Sequence, residues 1–281
     1  MILVFGKTGQ VAKELQKSEK VLCVGREQVD LTNPMISKKL IYEHNPSAVI
    51  NAAAYTFVDK AEDEEELANI INGEAPAIMS NTCKKLNIPF VHLSTDYVFN
   101  GQGNKPWKHY DVTNPLNAYG RSKLLGENAI RNSGANYVIL RTSWIISAHG
   151  NNFLKTILQL SNNNQNLRII SDQIGGPTPA KEIAKTCLSI TSQLQINPSK
   201  SGTYHFSGTP YTSWFELASA IFDLTKSSVN LTPIPSELYP TQAKRPHNSR
   251  LDCTETFEQF DINQPNWHLG VKNILRELEI I

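Results

Sequence analysis

The chain has 281 residues, of which 40% are hydrophobic and 19% charged, a balance that excludes a disordered or fibrous protein and fits one large domain or two small ones. Its 27 basic and 26 acidic side chains give a net charge of +1, so no overall basic excess indicates nucleic-acid binding. No apolar run reaches the roughly 18 residues that a membrane-spanning helix needs, and we expect no membrane partner.

The four cysteines are far apart in the chain and form no CxxC pair: Cys23, Cys83, Cys187 and Cys253. This spacing favours unpaired thiols in a reducing compartment over disulfides or a metal site. The opening residues, MILVFGKTGQ, are too short an apolar stretch for a signal peptide. We therefore expect a cytoplasmic protein.

The first half of the chain alternates between short apolar runs and longer polar stretches with helical spacing. The runs of strand length are residues 1–5, 21–24, 47–51, 89–93 and 137–141. Helices are predicted directly after Gly9, over about 63–86 and over about 118–132. The alternation predicts an α/β protein with a doubly wound, Rossmann-like parallel sheet, and the fully apolar strands indicate that helices cover both faces.

After Arg141 the alternation becomes less regular. The segments 162–166 and 175–179 are rich in Asn, or in Gly and Pro, which predicts loops. A helix over about 180–194 and a strand over 202–206 are predicted to return to the sheet.

These elements predict two parts of unequal size. Residues 1–142, together with about 179–207, would form the larger part, which contains the sheet. The remainder, about 143–178 with 208–281, would form a smaller α/β lobe. No clean linker separates the two parts, so we expect them to pack together with a cleft between them.

The first strand leads directly into the pattern Gly6-xx-Gly9-xx-Ala12. Glycine permits a tight turn and a close backbone approach to a pyrophosphate, while free N–H groups at the start of the following helix face the anion. The pattern alone also fits an ordinary strand-to-helix turn. Its position after the first strand of an alternating chain favours a dinucleotide site. The residues assigned to this site are Gly6, Lys7, Thr8, Gly9, Gln10 and Val11.

The end of the second strand carries a cation where a carboxylate would favour NAD. Arg26 follows this strand and would suit a 2′-phosphate, although Glu27 lies beside it and a solvated surface arginine is the alternative. NADPH is therefore favoured over NADH, which stays open.

Tyr119 and Lys123 are four residues apart in the third long helix and therefore share a face. A nearby ammonium would favour the phenolate and lower the pKa of the phenol, so that the pair could act as a general acid or base. Such pairs also occur by chance on solvated helices. Thr95 follows an apolar strand, and ligands of open parallel sheets bind at the carboxyl ends of strands. We therefore expect these three side chains to meet near the nucleotide.

At these residues the chain resembles the dTDP-4-dehydrorhamnose reductase family of the extended short-chain dehydrogenase/reductase superfamily. The stretches that carry the resemblance run through nearly the whole chain in order: GKTGQVA (6–12), INAAAYTFVDKAE (50–62), HLSTDYVFNG (92–101), NAYGRSKLLGE (117–127), LRTSW (140–144) and RPHNSRL (245–251). The resemblance implies reduction of the 4-keto group of dTDP-4-dehydro-6-deoxy-L-mannose, with NAD(P)H, to dTDP-L-rhamnose.

The resemblance also implies that the larger part is a dinucleotide-binding domain and that the smaller lobe binds the sugar nucleotide. It further implies roles for individual residues. Tyr119 would be the proton donor, Lys123 its partner and a ribose ligand, and Thr95 a third catalytic hydroxyl. Cofactor contacts are implied for Asp30, Leu31, Ala52, Ala53 and Ala54. The dTDP-sugar would contact Thr95, Asp96, Tyr97 and Trp144. Arg245 could bind its diphosphate because a guanidinium matches phosphate geometry; a helix start or a domain-docking motif is the alternative for this segment.

Two other functions stay open at this stage. One is a related nucleotide-sugar epimerase or dehydratase, which would recycle tightly held NAD⁺; Arg26 in place of a carboxylate speaks against it. The other is a non-catalytic NADP-binding regulatory subunit, against which the presence of Thr95, Tyr119 and Lys123 speaks.

The resemblance implies a homodimer, with Mg²⁺ as a further ligand. The acidic run 62–66 could bind such an ion, although a solvated helix start explains the run equally simply. No specific metal-ligand set is assigned.

Overall fold

A six-stranded parallel sheet forms the centre of the protein, whose computed structural model describes residues 1–281. The strands of the chain are β1 (Ile2–Phe5), β2 (Val21–Val24), β3 (Ala48–Asn51), β4 (Phe90–Thr95), β5 (Tyr137–Thr142), β6 (Ile145–Ile146), β7 (Asn166–Ile170), β8 (Ile174–Gly175), β9 (Thr178–Pro179), β10 (Gly202–His205), β11 (Thr212–Ser213), β12 (Asn230–Ile234) and β13 (Asn248–Ser249). The helices are α1 (Gln10–Leu15), α2 (Met35–His44), α3 (Glu65–Asn69), α4 (Ala75–Leu86), α5 (Ala118–Asn132), α6 (Phe153–Ser161), α7 (Ala180–Ile196), α8 (Trp214–Thr225), α9 (Thr254–Phe260) and α10 (Trp267–Glu277).

The central strands lie in the order β2–β1–β3–β4–β5–β10, and every neighbouring pair is parallel. From β1 the chain first adds β2 on one side and then continues with β3 on the other. Such a reversal opens a crevice at the carboxyl ends of the two strands, where ligands of open α/β sheets bind. The predicted doubly wound sheet is confirmed, and its crevice lies between β1 and β3.

Helices cover both faces of this sheet. Leu3 and Phe5 of β1 pack on one face with residues of α2, α4 and α5, while Val4 packs on the other with residues of α1 and α7. Successive side chains of a strand point to opposite faces, so only a continuous apolar run can fill both layers. This explains why the central strands read as uninterrupted apolar segments.

A separate apolar core lies outside the central sheet. It joins α6, β7, α8 and α10, with Leu154, Ile169, Leu217 and Trp267 among its buried members. Small sheets surround it: β12 pairs with β7, β11 and β13 flank β8, and β6 pairs with β9. Helix α8 begins with a capping box in which Ser213 and Glu216 bond reciprocally to each other's backbone.

The predicted helix over 63–86 is a composite of α3, a π-helical turn at Ile70–Glu74 and α4. Helix α2 is absent from the elements predicted from the sequence. Two loop predictions were partly wrong, because Asn166 begins β7 and the segment 175–179 contributes to β8 and β9. These strands are defined by pairing with distant segments, which local composition does not reveal.

All four cysteines are unpaired, and only Cys23 is more than marginally exposed. None of the helices has the length and apolar character needed to cross a lipid bilayer.

Candidate active site

A cavity of about 600 Å³ lies at the carboxyl ends of β1, β2 and β3. Most of the residues assigned to the cofactor line it, namely Gly6, Lys7, Thr8, Gly9, Arg26, Asp30, Leu31, Ala52, Ala53 and Ala54. The cavity extends past Thr56 and Lys60 to the start of the composite helix. It therefore occupies the crevice that the strand order creates.

Gly6 shows how closely the chain segments approach each other here. Its φ of +114° is a conformation that other residues rarely adopt, and a Cβ atom would lie 3.1 Å from the carbonyl carbon of Ala52. At the start of α1, no side chain caps the first N–H groups, so they remain available to an anion. Both features fit a dinucleotide with its pyrophosphate over the glycine loop.

Gln10 and Val11 do not line this cavity. Val11 is buried in the core beneath the sheet, and the side-chain oxygen of Gln10 accepts a hydrogen bond from Asn152 at 3.0 Å. Both residues belong to the first turn of α1, so only their backbone N–H groups could face a cofactor. The sequence pattern did not distinguish backbone from side-chain contacts.

Arg26 lies at the rim of the cavity with an 81% exposed side chain. Its Nε atom is 3.4 Å from Oδ2 of Asp30, whose other carboxylate oxygen accepts a hydrogen bond from the Thr32 backbone. The Thr32 bond, with a smaller contribution from Arg26, lowers the pKa of Asp30. The cation is thus held loosely beside the cavity and can turn toward an anionic group.

A smaller cavity of about 240 Å³ brings Thr95 and Tyr119 together. Thr95 is the last residue of β4, and Tyr119 is the second residue of α5. Asn117 caps α5 by accepting a hydrogen bond from the Gly120 N–H at 2.8 Å, which fixes the start of the helix. Thr56 lines both this cavity and the cofactor cavity, so the two adjoin.

Lys123 lies one turn further along α5 and is almost fully buried. Its Nζ atom donates to the carbonyl oxygen of Leu93 at 2.7 Å and lies 3.1 Å from Nε2 of His92. Burial lowers the pKa of Lys123 to about 8, although the charge of Glu127 opposes this effect.

The expected lowering of the Tyr119 pKa by Lys123 is not found. Burial raises the pKa of Tyr119 well above its ordinary value, the nearby Thr95 hydroxyl opposes the rise, and the charge of Asp96 adds to it. Lys123 directs its hydrogen bonds to β4 and not to the phenol. In this structure the phenol is therefore kept protonated, which is the form that a proton donor needs.

The helix that carries both residues contacts its neighbours at two glycines. A Cβ atom on Gly120 would overlap the carbonyl oxygen of Tyr97, and one on Gly126 would overlap that of Asn72. The backbone of α5 therefore lies directly against two other segments.

Behind the cavity, Glu127 forms a fully buried ion pair. It accepts hydrogen bonds from Arg141 at 2.7 and 2.9 Å, from Arg131 at 2.5 Å and from Ser94 at 2.6 Å. Burial alone would raise the pKa of Glu127, but the Arg141 guanidinium outweighs it and the pKa falls to about 2. The bonds from Ser94 and Arg141 to Glu127 connect α5 to β4 and β5.

A third cavity, of about 720 Å³, is lined by aromatic and apolar side chains of the smaller core. Trp144 stacks on Trp214 with ring centroids 3.5 Å apart and has a φ of +48°. A Cβ atom on Gly175 would lie 2.6 Å from the Trp144 ring, so this residue must lack a side chain. Trp144, Trp214 and Tyr97 line both this cavity and the small one.

Arg245 also lines the aromatic cavity. Its guanidinium donates to Oδ2 of Asp59 at 2.6 Å, so the side chain is held at the cavity wall by a carboxylate. Asp96, by contrast, lines the small cavity and accepts a hydrogen bond from Thr95 at 3.1 Å. Its other oxygen has no partner, and burial raises the pKa of this carboxyl to about 6.

The comparisons with known proteins identify the family. The family model described as "RmlD substrate binding domain" matches residues 1–280. The chain is 40% identical to the dTDP-4-dehydrorhamnose reductase of Salmonella typhimurium, over 99% of this chain and 97% of that protein. The chain belongs to the dTDP-4-dehydrorhamnose reductase family.

Solved structures of family members agree with the fold. The dTDP-4-dehydrorhamnose reductase of Clostridium acetobutylicum superimposes with a TM-score of 0.93 at 34% identity, over 99% of both chains. That of Bacillus anthracis, solved in complex with NADP, gives 0.91 at 31% identity over 98% of both chains. The family resemblance inferred from the sequence is confirmed.

Two buried polar residues beside the site, Asn51 and His92, are not among the residues predicted from the sequence. Asn51 and His92 are fully buried at neighbouring positions of β3 and β4, where Asn51 Nδ2 lies 3.1 Å from His92 Nδ1. Both lie in the stretches that carry the resemblance. The available signal was a polar residue inside each of two apolar strands, since buried polar groups require partners.

Proposed function

We propose that the protein reduces the 4-keto group of dTDP-4-dehydro-6-deoxy-L-mannose to dTDP-L-rhamnose, with NAD(P)H as the reductant. Family membership along the full chain supports this reaction. The observation that carries it is the small cavity lined by Thr95 and Tyr119, which adjoins both the cofactor cavity and the aromatic cavity.

When bound, NAD(P)H supplies the hydride that adds to the carbonyl carbon. As negative charge grows on the carbonyl oxygen, the hydroxyl groups of Tyr119 and Thr95 would stabilise it by hydrogen bonds. Tyr119 would then give its proton to this oxygen, which completes the alcohol. Lys123 would stabilise the resulting phenolate and bind the nicotinamide ribose, after which a proton from solvent restores the phenol.

The aromatic cavity would bind the nucleotide part of the substrate. Trp144 and Tyr97, which line both cavities, would contact the sugar nucleotide where the two cavities join. Arg245 would bind the diphosphate and would share its charge between the phosphates and Asp59. Asp96 would accept hydrogen bonds from the sugar through the oxygen that has no protein partner.

We also propose NADPH as the preferred cofactor. Arg26 lines the cofactor cavity, and its only ion pair is long and exposed, so its guanidinium could turn to a 2′-phosphate. NADPH would then be favoured over NADH by one charge-assisted contact.

The test is NADPH consumption in the presence of the keto-sugar generated in situ, followed by identification of the product. We expect Tyr119→Phe to lower kcat by at least about 100-fold, because the proton donor is lost. The matched control is Tyr42→Phe on the surface of α2, which should leave kcat unchanged. An unchanged kcat in the first variant would contradict the assigned role.

The same experiment separates the alternatives. Purification with bound NAD⁺, and no net NADPH oxidation, would indicate an epimerase or dehydratase. NADPH binding without any turnover would indicate a regulatory subunit.

We further propose a homodimer with the two-lobed division drawn from the sequence, to be checked by light scattering and limited proteolysis. A Mg²⁺ requirement would appear as a loss of activity in EDTA. In the acidic run, Glu62 accepts from the Ala118 N–H, Glu64 from Tyr55 and Glu65 from Arg121, so these carboxylates already have partners. The run is therefore a poor candidate for the ion.

A further inference from the structure

Three cations line the cofactor cavity, and they lie on two different sides of it. Lys7 follows β1 and Arg26 follows β2. The stem of Lys7 lies across the end of β2, since a Cβ atom on Gly25 would be 3.1 Å from Cβ of Lys7. Lys60, beyond the end of β3, is the only lysine or arginine on the other side. The reaction proposed above gives Lys60 no role.

The backbone of Lys60 is held in place from both directions. Lys60 begins the short 3₁₀ helix Lys60–Glu62. The residue before it, Asp59, accepts a hydrogen bond from Arg245 at 2.6 Å, and Glu62 accepts one from the Ala118 N–H at 2.8 Å. The side chain of Lys60 is nevertheless 62% exposed. The segment therefore carries a solvent-accessible cation on a fixed backbone.

Lys60 pairs with Glu64, which has a second partner. Nζ of Lys60 lies 2.7 Å from Oε1 of Glu64, while Oε2 accepts a hydrogen bond from the Tyr55 hydroxyl at 2.6 Å. Tyr55 is itself held by Asn72, which bonds to both its N–H and its carbonyl. The bond from Lys60, followed by that from Tyr55, lowers the pKa of Glu64, so its carboxylate is ionised at neutral pH. Because the two partners use different oxygens, Lys60 can leave Glu64 without breaking the bond to Tyr55.

Such an exchange of partners would cost the protein little stability. The side chain of Glu64 is 31% exposed, so water can solvate Oε1 once Lys60 has turned away. Ion pairs this exposed contribute little to the free energy of unfolding. A phosphate group offers the ammonium a full negative charge and several acceptor oxygens. A dinucleotide in the cavity would therefore compete with Glu64 for Lys60.

We propose that Lys60 binds the diphosphate of the cofactor from the side opposite the glycine loop, by exchanging Glu64 for a phosphate oxygen. The proposal rests on the proposed function, because it requires a dinucleotide in the cavity. The crevice lies between β1 and β3, so a diphosphate over the glycine loop faces the β3 side, whereas the ribose 2′-position is expected at the end of β2. Lys60 would thus contribute to the binding of both NADH and NADPH, while Arg26 would distinguish them.

The test is the binding of NADH and NADPH, measured by isothermal titration calorimetry without a sugar substrate. Lys60→Gln should weaken the binding of both by about five- to tenfold and reduce its dependence on salt concentration, because one charge-assisted contact is lost. The matched control is Lys39→Gln, which removes the cation of another i,i+4 pair, with Glu43 on α2, and should change neither affinity. An unchanged affinity for NADH in Lys60→Gln would overturn the proposal. A loss confined to NADPH would also overturn it, because the contact would then be with the 2′-phosphate.

Glu64→Gln should have the opposite effect. The amide keeps an oxygen that can accept from Tyr55 but no longer holds Lys60 by charge, so both dinucleotides should bind about two- to threefold more tightly. If the Lys60–Glu64 pair only stabilised the cavity wall, both single variants would weaken binding, against the proposal.

The double variant separates partner exchange from a general effect of charge. In the Lys60→Gln background, Glu64→Gln should no longer tighten binding, because there is no ammonium to release. A gain that persists would reflect only the removal of a negative charge from the cavity and would contradict the exchange. A wild-type protein that binds neither dinucleotide would instead refute the proposed function, so the two failures are distinguishable.

Discussion

The buried carboxylate of Glu127 offers a prediction whose magnitude follows from the structure. Glu127→Gln keeps the size of the side chain but removes the charge that pairs with Arg141. The pKa of Glu127 is about 2 in the folded protein against an ordinary 4.5. At about 1.4 kcal/mol per unit, this difference corresponds to about 3 kcal/mol of stability at neutral pH. The variant should lose about this amount, in agreement with the cost of breaking other buried pairs.

The direction of the pKa shift determines how the stabilisation by Glu127 changes with pH. Because folding lowers this pKa, the stabilisation is complete above pH 4.5 and disappears as the pH falls through 2. Linkage predicts that the difference in unfolding free energy between wild type and variant narrows by roughly 1 to 2 kcal/mol between pH 7 and pH 3.5. All other carboxylates are common to both proteins and cancel in the comparison.

Urea unfolding, followed by tryptophan fluorescence at both pH values, measures the difference. The control is Glu43→Gln, which removes an exposed ion pair with Lys39 at 3.6 Å and should change stability by less than about 0.5 kcal/mol. A loss of unfolding free energy in Glu127→Gln that stays constant with pH would refute the reasoning. So would a loss no larger than that of Glu43→Gln.

Three further substitutions test other parts of the site. Asp96→Asn should stabilise the protein by about 3 kcal/mol above pH 6 and by nothing below pH 3.8, because folding raises the pKa of this buried carboxyl to about 6. Urea unfolding at pH 8 and pH 3.5 measures the stabilisation, and an equal stabilisation at the two pH values would contradict the prediction. Gly175→Ala should raise KM for the sugar nucleotide about tenfold and leave KM for NADPH unchanged, since the new methyl displaces Trp144, which cannot retreat through Trp214. Arg26→Ala should raise KM for NADPH about tenfold but not that for NADH, and equal effects on both would remove the assigned role.

Much of the fold was readable because its signals are local. The strands of the central sheet are continuous apolar runs, and the glycine pattern follows the first of them, so β1, its turn and α1 could be placed from the sequence. Tyr119 and Lys123 are four residues apart in a helix, which sets their shared face without tertiary information.

The remaining features depend on contacts between distant segments. Nothing near Lys123 in the sequence shows that its amine faces His92 and not the phenol of Tyr119. Likewise, the ion pair of Arg245 with Asp59 joins residues from opposite ends of the chain. The strands β8 and β9 have two residues each, too few for any periodic pattern to appear.

The two glycines of α5 have a consequence for how the enzyme could respond to its substrate. With its backbone against the carbonyl groups of Tyr97 and Asn72, this helix cannot tilt or slide without colliding with them. The wall that carries Tyr119, the proposed proton donor, is therefore rigid. If the proposed reaction is right, any closure over the sugar must come from the opposite wall, where Trp144 and Arg245 line the aromatic cavity. Induced fit would then move the residues proposed to bind the nucleotide, while Tyr119 stays in place.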